Sequence, residues 1–161
     1  PFKKLIPFKK LTSGNKDFSK GVNKNNIYIS DLFSVSPLIC YEVIFPSRLL
    51  GLKNRPRAII NITNDAWYGF TSGPYQHLAL SRMRAAEQGL PLIRVANTGI
   101  SAVINSYGGL IDKIPLNFQG VIDTYLPNDL EPTLYNQYGN SIFWILIFFS
   151  VTFVFFGKFR Y

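Results

Sequence analysis

Residues 141–157 read Ser-Ile-Phe-Trp-Ile-Leu-Ile-Phe-Phe-Ser-Val-Thr-Phe-Val-Phe-Phe-Gly, without one charged side chain. No other stretch limits the fold as strongly. A bilayer span needs about 20 apolar residues, with a lower limit near 17. Tyr135, Tyr138 and Trp144 stand near one end of the run, and Phe159 and Tyr161 near the other. Such aromatics favour membrane–water interfaces. Lys158 and Arg160 follow directly. The expectation is one C-terminal transmembrane helix over 141–157 with a cytoplasmic C-terminus, by the positive-inside rule. The preceding domain would then sit on the outer, periplasmic face. A buried core segment is the competing reading, and the terminal position and lack of charge weigh against it.

Composition narrows the function classes. The single cysteine, Cys40, excludes an intramolecular disulfide. One Cys and one His are too few for a structural zinc site. The formal net charge of +8 is concentrated at the start. Lys3, Lys4, Lys9, Lys10, Lys16, Lys20 and Lys24 stand against Asp17 alone, so residues 1–26 read as a basic, Gly/Ser/Asn-containing connector. A solvated loop or contact with anionic lipid headgroups suits such a segment. Nucleic acid does not fit, because few aromatics lie among the lysines and the membrane signal dominates. The chain begins with Pro rather than Met, which suggests a piece of a longer reading frame.

Between the connector and the apolar run, the chain alternates short apolar segments with turns. Ile27 to Val35 reads as a strand entering a domain, and Val35 to Ile39 as a buried strand. Cys40 follows directly, and Tyr41 to Phe45 reads as a turn or a first helical turn. A thiol at that junction is well placed for chemistry, since free N–H groups at a helix start favour an anion. A buried structural cysteine is the alternative. Glu42, two residues on, could orient a substrate or hold neighbouring groups. Pro46–Gly51 reads as a short helix. Ala58–Thr63 reads as a strand buried in a sandwich, with Asn64-Asp65 turning at its end. Trp67 and Tyr68 follow in a loop at the sheet edge that carries Cys40, where α/β folds place their chemistry.

Gly73-Pro74 starts a helix that Gly89 stops. Leu78, Met83 (or Arg82) and Ala86 recur at helical spacing, leaving Arg82, Arg84 and Glu87 on more polar faces. His77 reads as a surface or capping residue of that helix. Leu90–Ala96 and Ile100–Asn105 form a hairpin around Asn97-Thr98-Gly99. Leu110–Ile114 and Val121–Leu126 read as edge strands kept short by Pro115 and Pro127.

Three blocks together carry a resemblance. The first is Cys40-Tyr41-Glu42 with Phe45-Pro46. The second is Asn61-Ile-Thr-Asn-Asp-Ala-Trp-Tyr-Gly69, with Gly73-Pro-Tyr-Gln-His77 and Arg82-Met-Arg-Ala-Ala-Glu87. The third is Pro91-Leu-Ile-Arg-Val-Ala-Asn-Thr-Gly-Ile-Ser-Ala102. Their order and spacing resemble the nitrilase (carbon–nitrogen hydrolase) superfamily, in particular its apolipoprotein N-acyltransferase branch.

That resemblance implies a fold and a chemistry. The fold is α/β, a partial nitrilase-like αββα sandwich over 27–130, followed by the C-terminal transmembrane helix. The implied setting is the bacterial inner membrane. The family's chemistry uses a Glu general base, an oxyanion-stabilising Lys and a Cys nucleophile, with no cofactor and no metal. An acyl chain passes from a phospholipid donor to the Cys as a thioester, and then to the N-terminal Cys of an apolipoprotein acceptor. Only Cys40 as nucleophile, with Tyr41 and Glu42 beside it, carries over as catalytic. Trp67 matches a substrate-side aromatic. The family's Lys and Glu match nothing here: Leu5-Ile-Pro-Phe8 imitates part of their motif, but Lys9-Lys10 stands where Gly-Glu should follow. Both would lie upstream, which leaves room for an N-terminal complementary chain. An amidase using water as acceptor, and a non-catalytic remnant or half of a split enzyme, are the alternatives.

Overall fold

The computed structural model describes residues 26–31, 33–46 and 54–158. The basic connector, apart from Asn26, and the helix expected over 46–51, apart from Pro46, lie outside the described residues.

Six strands form one sheet whose spatial order is the chain order: β1 (Ile27–Ser30), β2 (Phe33–Ile39), β3 (Ala58–Asn64), β4 (Leu92–Asn97), β5 (Ser101–Ile104) and β6 (Leu110–Ile114). The central pairs β2–β3 and β3–β4 are parallel, and the flanking pairs are antiparallel. Parallel neighbours need a long crossover. Between β3 and β4 it is supplied by helix α1 (Gly73–Gln88), which begins with Pro in its first turn and ends at Gly89 as expected.

Two strand expectations are corrected. Residues 27–35 are not one strand but a hairpin, with β1 folded back so that Ile27 faces Val35. Ser30-Asp31 supply the turn chemistry that breaks the run. Residues 121–126 form no strand. The chain beyond Pro115 instead crosses to the C-terminal end of α1, where Leu130 N–H donates to Gly89 O at 2.9 Å. Arg55 donates to Gln88 O and Gly89 O there, and both Arg55 and Arg57 pair with Asp129.

A short helix, α2 (Leu134–Tyr138), continues this clasp. Thr133 caps it by accepting from Asn136 N–H at 3.0 Å, and the same hydroxyl donates to Glu87 O. Asn136 Nδ2 donates to Gln88 Oε1. Gly139 then takes φ 53°, ψ −131°, a conformation that disfavours a side chain, and helix α3 (Ser141–Lys158) follows.

The sheet has two unlike faces, as period-two alternation requires. The face toward α1 holds the core: Leu38, Ile59, Leu92, Ala102 and Ile104 pack with Leu78, Ala85, Leu90 and Val43. On the opposite face Ile39, Ile62 and Val95 lie in register across β2, β3 and β4, and each is about half exposed. This is one layer of helix on one mixed sheet. The second sheet of the expected sandwich is not found among the described residues, and the half-exposed apolar row marks the face such a sheet would cover.

The face that α1 buries also differs from expectation. Met83 is exposed, while His77, Ser81, Arg84 and Gln88 are buried beside Leu78 and Ala85. Arg84 was expected on a polar face and instead lies buried against Glu87. A polar stripe can turn inward only when partners wait for it: Asp65 and Arg94 meet His77 and Ser81, Glu87 meets Arg84, and Asn136 meets Gln88.

α3 forms where the apolar run predicts a helix, and its large side chains are exposed all round, Ile142 through Phe155. The span itself is corrected: among the described residues no helix is long and apolar enough to cross a membrane. Eighteen residues at 1.5 Å each give about 27 Å, short of the ~30 Å hydrocarbon core.

The packing predicts that Leu92→Ala, at a fully buried position in β4, lowers stability by about 2–5 kcal/mol. Met83→Ala, on the exposed side of α1, should change it by less than about 0.5 kcal/mol. Denaturant unfolding of the two variants in detergent micelles checks the pair.

Candidate active site

Parallel β2 and β3 run in register to their C-terminal ends, with Ile39 opposite Ile62. Continuing one residue sets Cys40 beside Thr63. Cys40 opens a five-residue 3-10 turn, Cys40–Ile44. Its own φ is +51°, a left-handed conformation unusual for a residue with a side chain. Such strain costs on the order of 1–3 kcal/mol and persists only where neighbours over-determine it.

Those neighbours are visible. Asn61 Nδ2 donates to Leu38 O at 3.0 Å and to Cys40 O at 3.1 Å, bracketing the bend. Glu42 turns back and accepts from Ile39 N–H at 3.0 Å. Isoleucine has no side-chain acceptor, so only this one arm of a capping arrangement forms. Cys40 is half-buried, neither sealed in the core nor fully open.

The sulfur meets the hydroxyl of Thr63 at 3.4 Å. That hydroxyl lies 3.1 Å from Asp65 Oδ1. Asp65 is buried, and Arg94 Nη2 donates to its Oδ2 at 2.6 Å. His77 Nδ1 lies 2.9 Å from Oδ1. Arg94, buried in the middle of β4, also donates to Asn61 Oδ1, to Ser81 Oγ at 3.3 Å and to Ile100 O at 3.2 Å. Gly99 permits the approach: a Cβ there would lie 2.9 Å from Asp65 Oδ2, at a φ of +151°.

Burial works against the Asp65 carboxylate. The His77 hydrogen bond and the Arg94 charge outweigh it and hold its pKa below the ordinary carboxylate value. Burial lowers the Arg94 pKa, with Asp65 opposing, yet a guanidinium stays charged in proteins. The ionised Asp65 carboxylate can only accept, so His77 carries a proton on Nδ1 and donates it there, and Arg94 Nη2, 3.1 Å from the same nitrogen, donates to Asp65 Oδ2 instead. The other nitrogen, Nε2, has no hydrogen-bond partner among the described residues. The rings of Tyr41 and Tyr68 lie 5.6 and 6.0 Å from that of His77.

Tyr68 ends a short 3-10 turn, Ala66–Tyr68. Burial, then the negative ends of Tyr41, Asp65 and Cys40, raise its pKa, so the phenol stays protonated near neutral pH. Trp67, the aromatic expected on the substrate side, is 89% exposed and points to solvent, as does Phe70.

The structure thus brings Cys40, Tyr41 and Glu42 together on one turn and leaves Trp67 at the rim. Sequence reading gave no site role to Asn61, Thr63, Asp65, Tyr68, His77 or Arg94. The expectation of a surface or capping His77 is corrected, because the Asp65 and Arg94 groups draw it into the interior. A usable signal existed for two of these residues: Asn61 and Thr63 alternate with Ile60 and Ile62, so both had to share one face of β3.

Comparisons with known proteins agree with this architecture. Residues 6–135 match the family model for carbon–nitrogen hydrolase. The apolipoprotein N-acyltransferase of Rickettsia typhi is 45% identical over 163 residues, covering 96% of this chain and 33% of its own length. That of Rhodopseudomonas palustris is 47% identical over 134 residues, covering 83% of this chain and 25% of its own. The chain therefore spans between a quarter and a third of these curated relatives. A carbon–nitrogen hydrolase structure from Helicobacter pylori G27 superposes with a TM-score of 0.50 at 16% identity, over 60% of this chain and 41% of that one. A CN-hydrolase superfamily structure from Xanthomonas campestris gives 0.50 at 19% identity, over 63% and 43%. At these identities the two structures speak to the fold alone.

The lowered Asp65 pKa fixes the sign of a pH effect. Stability from ionised Asp65 is complete above its unfolded-state value of about 3.9 and is lost as pH falls through the lower folded-state value. Asp65→Asn should lose this acid-limb slope and, by leaving Arg94 without its carboxylate, cost about 3–5 kcal/mol at neutral pH. Urea midpoints measured from pH 7 to pH 3 test this, and parallel slopes for parent and variant would refute it.

Proposed function

The chain belongs to the carbon–nitrogen hydrolase family, and from that premise we propose that it is the nucleophile-bearing part of a membrane-held N-acyltransferase. The single observation carrying this reading is a half-buried thiol at a left-handed strand end, within hydrogen-bond reach of the Thr63 hydroxyl. A thiol so placed can form a covalent acyl intermediate and divide one difficult transfer into two easier ones.

In the first step, Cys40 as thiolate attacks an ester carbonyl of a phospholipid. The C–S bond forms, the C–O bond breaks, and the lysophospholipid alkoxide leaves with a proton. In the second, the α-amino group of an apolipoprotein's N-terminal Cys attacks the thioester. The C–N bond forms, the C–S bond breaks, and the thiol is restored. Tyr41 and Glu42 adjoin the nucleophile, with Glu42 shaping the turn through Ile39 N–H. Trp67 and Phe70 at the rim suit contact with acyl chains or headgroups.

Proton transfer and oxyanion stabilisation need further groups. Asp65 is committed to Arg94 and His77. We therefore assign the general-base Glu and the oxyanion Lys to sequence outside these 161 residues, in keeping with the greater length of the relatives.

α3 favours a lipid donor over a water-soluble amide. Its exposed Ile, Phe, Trp and Val side chains call for an apolar surround, and embedding them would hold Cys40 near its substrate. We place the site at the outer face of the bacterial inner membrane.

Incubating the full reading frame with phospholipid carrying a labelled acyl chain should leave a hydroxylamine-labile label on Cys40, and Cys40→Ala should lose it. The 161 residues alone should label at least about 10²-fold more slowly, given the usual effect of one missing oxyanion donor. Label retained by Cys40→Ala would remove Cys40 from the role.

A further inference from the structure

We propose that Arg94 and Asp65 are positioning residues for Cys40, acting through two separate arms, Asn61 on the backbone and Thr63 on the sulfur. The proposal rests on reading Cys40 as the nucleophile, but not on the identity of the acyl donor.

The backbone arm begins at the strained residue. Cys40 holds φ +51°, and the carbonyls of Leu38 and Cys40 converge on one amide, Asn61 Nδ2, at 3.0 and 3.1 Å. An Asn amide can flip and present oxygen where nitrogen is needed. Here it cannot, because Arg94 Nη1 donates to Asn61 Oδ1. Arg94 thereby fixes which end of Asn61 faces the bend. The guanidinium is itself held on several sides, by Asp65 Oδ2, Ser81 Oγ and Ile100 O. Its planar fork meets all of these at once, which a lysine ammonium cannot do.

The sulfur arm runs from the other carboxylate oxygen. Asp65 Oδ1 lies 3.1 Å from Thr63 Oγ1, which lies 3.4 Å from Cys40 Sγ. One hydroxyl proton cannot serve both acceptors. While Cys40 is a thiol, the Thr63 proton goes to Asp65 and the S–H proton can point at Oγ1. Once Cys40 is a thiolate, the Thr63 proton turns to sulfur, and Asp65 keeps its bonds from Arg94 and His77. The hydroxyl thus follows the charge state of the sulfur, and the carboxylate gives up one hydrogen bond while keeping two. Arg94 and His77 offset the negative charge that Asp65 would otherwise present to a thiolate.

Among the described residues, the titratable and charged groups around this network are Tyr41 and Glu42 on the turn of Cys40, Asp65 and Tyr68 from the β3–α1 connection, His77 from α1 and Arg94 from β4. Thr63 is the hydrogen-bond partner of the sulfur, and replacing it removes no charge.

The test uses the only cysteine as its own reporter. The 161-residue chain in detergent micelles is alkylated with iodoacetamide from pH 5 to pH 10. Thr63→Val, nearly the same shape, should slow alkylation at pH 7 by about ten-fold, the usual effect of losing one hydrogen bond to an anion. Thr63→Ser, which restores the hydroxyl, should recover the parent profile. Arg94→Lys should slow alkylation at least as much. If that variant unfolds, its profile will match that of the parent in urea, and the Thr63 pair still decides. Parent and Thr63→Val profiles that coincide, or a parent thiol no different from a denatured one, would overturn the proposal. Absence of lipid labelling with the Thr63 effect intact would instead overturn the donor assignment alone.

Discussion

A guanidinium buried to 1% exposure in the centre of a sheet cannot be left to water. Arg94 is that group, and much of the molecule is arranged to receive it. Stripping an ion of its hydration costs several kcal/mol even after relaxation, and only close partners recover it. Asp65 supplies the countercharge, Asn61, Ser81 and Ile100 supply oxygens, and Gly99 supplies the room. The inward polar stripe of α1 follows from this demand, since Ser81 and His77 must face the sheet to meet the Arg94–Asp65 pair. A wholly apolar interior of the same volume could be as stable. What the ion pair adds is fixed orientation at the strand ends, where the thiol sits.

The same constraint explains what sequence reading could and could not reach. The strands β2 to β6, the helix bounded by Pro74 and Gly89, and the Asn97-Thr98-Gly99 hairpin depend on local signals, and these were legible. Arg94 was not: it stands in Leu-Pro-Leu-Ile-Arg-Val-Ala, which reads as an apolar strand with one stray charge. Its partner Asp65 lies 29 residues away, inside what reads as a turn. Nothing local distinguishes a turn aspartate from a buried one. His77 fails for a related reason, because a helix with three polar residues near its start offers no sign of which face is inside. The register Asn61 opposite Arg94 becomes visible only once β3 and β4 are paired.

The site shows a finer version of that limit. The Cys40-Tyr41-Glu42 block announces a nucleophile, yet the left-handed φ of Cys40 is written elsewhere, in Asn61 and the strand pairing that delivers it. Trp67 drew notice as the larger aromatic and points to solvent, whereas its smaller neighbour Tyr68 turns toward the buried His77 ring. Adjacent residues on a tight turn point in different directions, and composition alone does not say which.

The clasp between α1 and α2 has a mechanical consequence. Leu130, Thr133 and Asn136 bind the chain to the end of α1, so the catalytic layer and α2 form one stiff plate. Gly139 is the next joint, and α3 leaves from it. A change in the direction of that rod is taken up at the single swivel, so the clasp insulates the geometry of the sulfur from whatever surrounds α3.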